Sequence, residues 1–170
     1  MSHQGGFSLL ELLCVLAVLS ILAHAGGAHF LRVSQDTQDK NALQQQVKHL
    51  TDALAQARQL AVLSGQPSFL CGGDECNGRW SEGFWLYQIH SATGAEKTFY
   101  RRTFERDIDV SWRGFPTQKS HIEFQSNGLS GYQNGTFIFC SNAWQADIVL
   151  NQSGRFYVTD PQRKGEVSCQ

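Results

Sequence analysis

The hydrophobic pattern of the chain falls into three regimes. From Phe7 to Leu31 it is dominated by Leu9, Leu10, Leu12, Leu13, Val15, Leu16, Val18, Leu19, Ile21 and Leu22, and Glu11 is the only formally charged side chain before Arg32. As a helix this stretch spans about 37 Å at 1.5 Å rise per residue, against a bilayer hydrocarbon core of about 30 Å. Each aliphatic side chain contributes about −0.3 to −0.6 kcal/mol to insertion, and together they offset the few kcal/mol that one carboxylate costs. Gly26 and Gly27 follow, each costing about 1 kcal/mol in a helix interior, and they predict a bend or melted turn. Beyond them Leu43, Val47, Leu50, Leu54, Ala57 and Ala61 recur at spacings of 4, 3, 4, 3 and 4. That is one face of an amphipathic helix running to about Leu63, with Gln44, Gln45, Lys48, Asp52 and Gln56 on other faces and Gly65-Gln66-Pro67 as its stop. The stripe would also serve a coiled coil, but before a strand-rich region it reads as the helix face of that region's own core.

After Pro67 the period shortens. β-rich runs at 68–71, 84–89, 97–104, 108–112, 121–125, 136–140, 147–151 and 155–159 are separated by turn clusters such as Gly72-Gly73-Asp74, Asn127-Gly128 and Asn134-Gly135. Asn134-Gly135-Thr136 also matches a glycosylation acceptor and is read as a hairpin turn. A long helix followed by a run of strands predicts an α+β fold, with an antiparallel sheet packed on the helix.

Composition adds three constraints. At 170 residues and 41% hydrophobic, the chain holds one domain with an ample core. Its net charge of −1 gives no general attraction to nucleic acid or acidic lipid, so such binding would need a local patch. Of the five cysteines, Cys14 lies in the apolar run, and Cys71, Cys76, Cys140 and Cys169 form an even set in the polar remainder. Outside the cytoplasm three pairings are formally open, and local spacing favours Cys71 with Cys76 and Cys140 with Cys169. Those loops would contribute about 2 and about 3 to 4 kcal/mol in the chain-entropy model.

Two ordinary readings of the N-terminus meet obstacles. A secretory signal peptide has its A-x-A pattern in Ala23-His24-Ala25, but residues 1–6 contain no Lys or Arg, and Glu11 interrupts what should be purely apolar. In a plain signal anchor the same carboxylate stays in lipid only if something pairs with it. Gly6-Phe7-Ser8-Leu9-Leu10-Glu11 resembles the class III leader junction of type IV pilins and type II secretion pseudopilins, although the leader carries only His3 where the family often has Lys or Arg. The resemblance implies cleavage between Gly6 and Phe7 by a prepilin peptidase, N-methylation of Phe7, and a role for Glu11 in subunit assembly. There it would pair with the free amine of a neighbouring helix, so that two charges costly alone become tolerable together.

Further along, Ala53-Leu54-Ala55-Gln56-Ala57-Arg58-Gln59-Leu60-Ala61, the segment from Pro67 to Cys71, Phe137-Ile138-Phe139-Cys140, and Ile148-Val149-Leu150-Asn151-Gln152-Ser153-Gly154-Arg155 resemble the GspH/FimT branch of pseudopilins and minor pilins. The implied fold is type IV pilin-like, its long N-terminal helix spanning a membrane in its first half and packing on an antiparallel β-sheet domain in its second. Residues 1–6 would be the leader, 7–31 the transmembrane and filament-core helix, 32–65 the amphipathic continuation, and 66–170 the periplasmic β-rich domain. The implied function is that of a minor pilin in the priming or tip complex of a type IV pilus. An H-type pseudopilin of type II secretion is the alternative, and a FimT-like DNA-binding minor pilin a second one. Prepilin peptidase, other minor pilins or pseudopilins, a major pilin and the bacterial inner membrane are the implied partners.

No enzyme chemistry is expected. The histidines match no ligand spacing, no GxSxG elbow exists around Ser81 or Ser130, and Asp74-Glu75 between Cys71 and Cys76 reads as a solvated, disulfide-closed loop; no metal or cofactor is expected. The DNA-binding relatives use Gly-Arg-x-Arg near the C-terminal end, whereas this chain has Gly154-Arg155-Phe156-Tyr157. Arg155, Tyr157, Arg163 and Lys164 are the residues a DNA patch would use. Trp80 and Trp112, beside polar loops, are candidates for a partner surface.

Overall fold

The structure, a computed structural model, describes residues 8–104 and 107–164, with their side chains except those of residues 23–30. In chain order the elements are α1 (Leu9–Ser64), β1 (Ser68–Gly72), a short 3-10 helix (Trp80–Glu82), β2 (Phe84–Ile89), β3 (Glu96–Arg102), β4 (Asp109–Phe115), β5 (His121–Phe124), β6 (Asn134–Ser141), β7 (Trp144–Leu150), β8 (Phe156–Val158) and β9 (Gln162–Arg163). The chain divides into two units, Met1–Gln38 and Asp39–Gln170.

In the first unit every side chain from Leu9 to Leu22 is exposed. Among the described residues no helix is long and apolar enough to cross a membrane. The span expected over Phe7–Leu31 takes in Phe7 and the side chains of residues 23–30, which lie outside that description. The interruption expected at Gly26-Gly27 is not found, since both residues are helical within α1. Glycine weakens a helix without removing an i→i−4 hydrogen bond, as proline does, and long helical flanks carry the pair.

In the second unit Leu43, Val47, Leu50, Leu54, Ala57 and Ala61, with Ala53, are buried as one face of α1. The helix ends where Gly65 turns to φ +68°, a backbone state that glycine adopts without penalty. The expected single sheet is in fact two, both antiparallel: β3-β2-β1-β5, and β4-β6-β7-β8 with β9 also on β7. Strand alternation turns Leu70, Leu86, Ile122 and Phe124 of the first sheet, and Val110, Phe137, Phe139, Ile148 and Leu150 of the second, into one core with the helix face. The split arises because β5 returns to pair with β1 rather than with β4.

The pair Asn134-Gly135 is not a turn, because β6 begins there. Gly135 lies opposite Gly114 of β4, and the Trp112 ring occupies the space that a Cβ on either would need, so both glycines permit close approach within the sheet. The hairpin turn between β6 and β7 is instead Asn142-Ala143, with Asn142 at φ +44°.

Candidate assembly and binding surfaces

The residues of the leader junction, Gly6 and Phe7, lie outside the described residues. Glu11 is exposed on α1 amid the exposed aliphatics. Cys14, a free thiol, is exposed on the same stretch.

Cys71 and Cys76 form a disulfide with a Cα–Cα distance of 5.1 Å. Cys71 is fully buried at the end of β1, and the loop it closes is held further by Gly72 N–H donating to the Ser120 carbonyl (2.8 Å) and Gly78 N–H donating to the Gly72 carbonyl (3.1 Å). The expected pairing of Cys140 with Cys169 involves a residue outside those described; Cys140 itself is buried in β6.

Two of the segments that carry the family resemblance, residues 53–61 and 148–155, meet at one joint. Arg58, on α1, donates from Nε to the Gly128 carbonyl (3.0 Å). Gly154 lies directly against that carbonyl, at φ +72°, so closely that a Cβ there would collide with it. Asn151 shapes the turn that presents Gly154: its Oδ1 accepts from Ser153 N–H (3.1 Å), Ser153 Oγ (2.6 Å) and Arg155 N–H (3.1 Å). Ser130 is buried against the same turn, its Oγ 2.8 Å from the Asn151 carbonyl and its N–H donating to the Gln152 carbonyl (3.2 Å). The backbone N–H groups of the Ser153-Gly154-Arg155 block and the Ser153 hydroxyl are thus consumed within their own turn, on Asn151, while Arg58 ties the neighbouring Gly128 turn to the helix.

Beyond this joint Arg155 is exposed and Tyr157, in β8, is 61% exposed. Arg163 and Lys164 do not join them. β8 pairs with the C-terminal end of β7 and β9 with its N-terminal end, so the step along β7 from Val149, opposite Tyr157, to Trp144, opposite Arg163, separates the two pairs by about 17 Å at the rise of a strand. The Arg163 guanidinium packs over Trp144, at 4.9 Å from its ring centroid.

Trp80 and Trp112 flank Phe137 at centroid distances of 4.7 and 4.8 Å. Trp80 belongs to the core: it is 1% exposed, packs against Gly72, and donates from Nε1 to the Lys119 carbonyl (2.8 Å). Trp112 is half-buried and donates from Nε1 to the Pro116 carbonyl (2.9 Å). Beside it an open groove of about 800 Å³ runs between residues 77–82, residues 117–120 and β4. Next to this groove His121 has its pKa lowered, first by burial and then by the Lys119 ammonium, and its Nδ1 lies 3.2 Å from Ser120 Oγ. Burial likewise lowers the pKa of Lys119. Among the described residues no group of three or more His, Cys, Asp or Glu is placed to hold a metal ion.

Sequence reasoning missed Ser81. Its Oγ accepts from Val110 N–H (2.9 Å) and lies within hydrogen-bond reach of the Val110 carbonyl (3.1 Å) and of Asp109 Oδ1 (2.5 Å), bridging the 3-10 helix to the edge of β4. No sequence signal marks a contact between residues so far apart.

The sequence profile of the family described as Type II transport protein GspH matches residues 46–154, and that of the Prokaryotic N-terminal methylation motif matches residues 1–26. Among solved structures, the type IV minor pilin FimU of Pseudomonas aeruginosa aligns at a TM-score of 0.56 with 17% identity, covering 68% of this chain and 91% of FimU. The minor pseudopilin EpsH from the Type 2 Secretion System of Vibrio cholerae aligns at 0.53 with 12% identity, covering 69% of this chain and 95% of EpsH. At these identities the likeness is one of fold: a long N-terminal helix followed by antiparallel sheets, the type IV pilin-like arrangement. Among curated protein sequences none matches.

Proposed function

The chain belongs to the GspH family of minor pilins and pseudopilins, and within it we propose that the protein is a non-enzymatic minor pilin of a type IV pilus, working in the priming or tip complex. The observation that carries this reading is the row of exposed aliphatics from Leu9 to Leu22, broken only by Glu11 among charged residues, in front of a separately packed unit. Such a row needs an apolar partner, first the inner membrane and then the helices of neighbouring subunits. A prepilin peptidase would cut between Gly6 and Phe7, the new amine on Phe7 would be methylated, and Glu11 would pair with such an amine from a neighbour in low dielectric. The β-rich unit would face the periplasm, where the Cys71–Cys76 disulfide is stable. Other minor subunits and a major pilin are the partners this reading requires.

Intact mass of the membrane-extracted protein tests it. The expected result is loss of residues 1–6 with gain of one methyl; cleavage after Ala25 would sink the anchored reading.

The description of the matched family as a type II transport protein favours a second reading, an H-type pseudopilin of the type II secretion machine. A deletion strain separates the two. Loss of surface pili with secretion intact supports the pilus, and the reverse supports the secretion system.

A further inference from the structure

The two sheets have four outer edges, and three are blunted against a further strand, by charge, by a side-chain cap or by proline. β3 carries Glu96, Lys97, Arg101 and Arg102 along its edge. β5 is covered by Gln133, whose Oε1 accepts the Glu123 N–H (3.1 Å). The β8–β9 edge is broken between its two strands by Asp160-Pro161, and proline has no N–H to offer.

β4 differs. It pairs only with β6, so alternate residues turn their N–H and C=O groups away from the sheet. Val110 is one of these, and Ser81 already occupies both of its groups. By the same alternation Trp112 and Gly114 also face outward, and among the described residues no hydrogen bond is made by their outward backbone groups. The groove of about 800 Å³ runs beside this stretch. On its wall Arg79 is neutralised by Glu82 (3.1 Å), whereas the half-buried Lys119 has no carboxylate within ion-pair distance among the described residues and feels Glu123 only as a longer-range attraction.

We propose that the free edge of β4 at Trp112 and Gly114 is a docking site for an extended, acidic segment of another polypeptide, which adds a strand to the sheet and places a carboxylate near Lys119. Backbone hydrogen bonds to the edge supply binding, and the groove and its cation select the side chains. A second copy of this chain fits badly. With β4 antiparallel to itself about Trp112, each Gly114 meets a Val110 already capped by Ser81, and about Arg113 two guanidinium groups meet. The inference stands on the strand edge and the groove and does not depend on which machine the protein serves.

The test uses the full chain in detergent micelles, titrated with an acetylated, amidated heptapeptide of alternating threonine and valine with a central glutamate. Amide exchange at Trp112 and Gly114 is expected to slow on binding. N-methylation of the peptide backbone at its edge-facing residues should weaken binding about tenfold or more, since each lost 1.4 kcal/mol is a factor of ten. Lys119→Glu should reverse the preference toward a peptide with lysine in place of glutamate, an inversion that loss of folding cannot produce. Three results would overturn the proposal: no binding up to millimolar peptide, equal binding of the N-methylated peptide, or protection of the β4 amides by self-association without any peptide.

Discussion

Leu16 and Leu50 are the same residue in the same helix, yet Leu16 is 54% exposed and Leu50 is 0% exposed. Around Leu50 the chain supplies its own cover, because Leu70, Phe124, Phe137 and Ile148 of two sheets close over that face. Around Leu16 the described residues supply none, and Leu12, Leu13 and Leu19, one turn away, are exposed as well. Helix propensity treats the two stretches alike, so the difference lies in where the apolar partner comes from. The second stretch folds the protein, and the first is left for something outside it.

The sharpest way to break this contrast is paired truncation. Leu54→Ala should cost about 2 to 5 kcal/mol in denaturant unfolding, through lost burial and the cavity left behind. Leu16→Ala should stay within about 0.5 kcal/mol, while lowering recovery from membranes or filaments. Equal costs would mean that the first stretch is packed within its own chain. Next in size, Gly154→Ala forces a Cβ toward the Gly128 carbonyl at a positive φ and should cost about 2 to 4 kcal/mol, read as a shifted urea midpoint with no change in slope. Cys71→Ser with Cys76→Ser should cost about 2 kcal/mol, the loop-closure value for so short a ring, and should leave the amide exchange of α1 below Leu22 unchanged.

The smallest effect is a pH response confined to the packed unit. The Tyr100 hydroxyl has its pKa raised to about 12 by burial, helped by Asp52 and opposed by Arg102. Between pH 10 and about 12 the unfolded chain loses this proton and the folded chain keeps it, so stability falls as pH rises through that window. Tyr100→Phe should flatten that fall. The opposite sign holds at His121, whose folded pKa lies below 6.5; stability falls as pH drops below that value, because the unfolded chain takes up the proton more readily.

Local signals carried much of the fold. The helix face from Leu43 to Ala61, the stop at Gly65 and the cores of most strands follow from periodicity and turn chemistry. Pairing decisions were not legible, because they are made between distant segments. Nothing near His121 announces that it will return to Cys71 and divide the strands into two sheets. Asn134-Gly135 has the composition of a hairpin turn, but the space it leaves is filled by Trp112 from another strand. For the candidate surfaces, the apolar row with Glu11 was written plainly in the residues. The β4 edge was not, since it depends on what Ser81 caps and what it leaves uncapped.

The joint of Arg58, Gly128 and Gly154 also bears on the order of events in folding. Arg58 and Gly128 are 70 residues apart along the chain, so their contact waits until the intervening strands have been gathered and the loop entropy met. Local hairpins such as β6 with β7 can close long before. A contact still unmade at the folding barrier would show its loss in the rate of escape from the native state rather than in the rate of reaching it, which unfolding and refolding kinetics of Arg58→Ala would test. In the pilus subunit proposed above, these two turns would then set how long the packed unit survives.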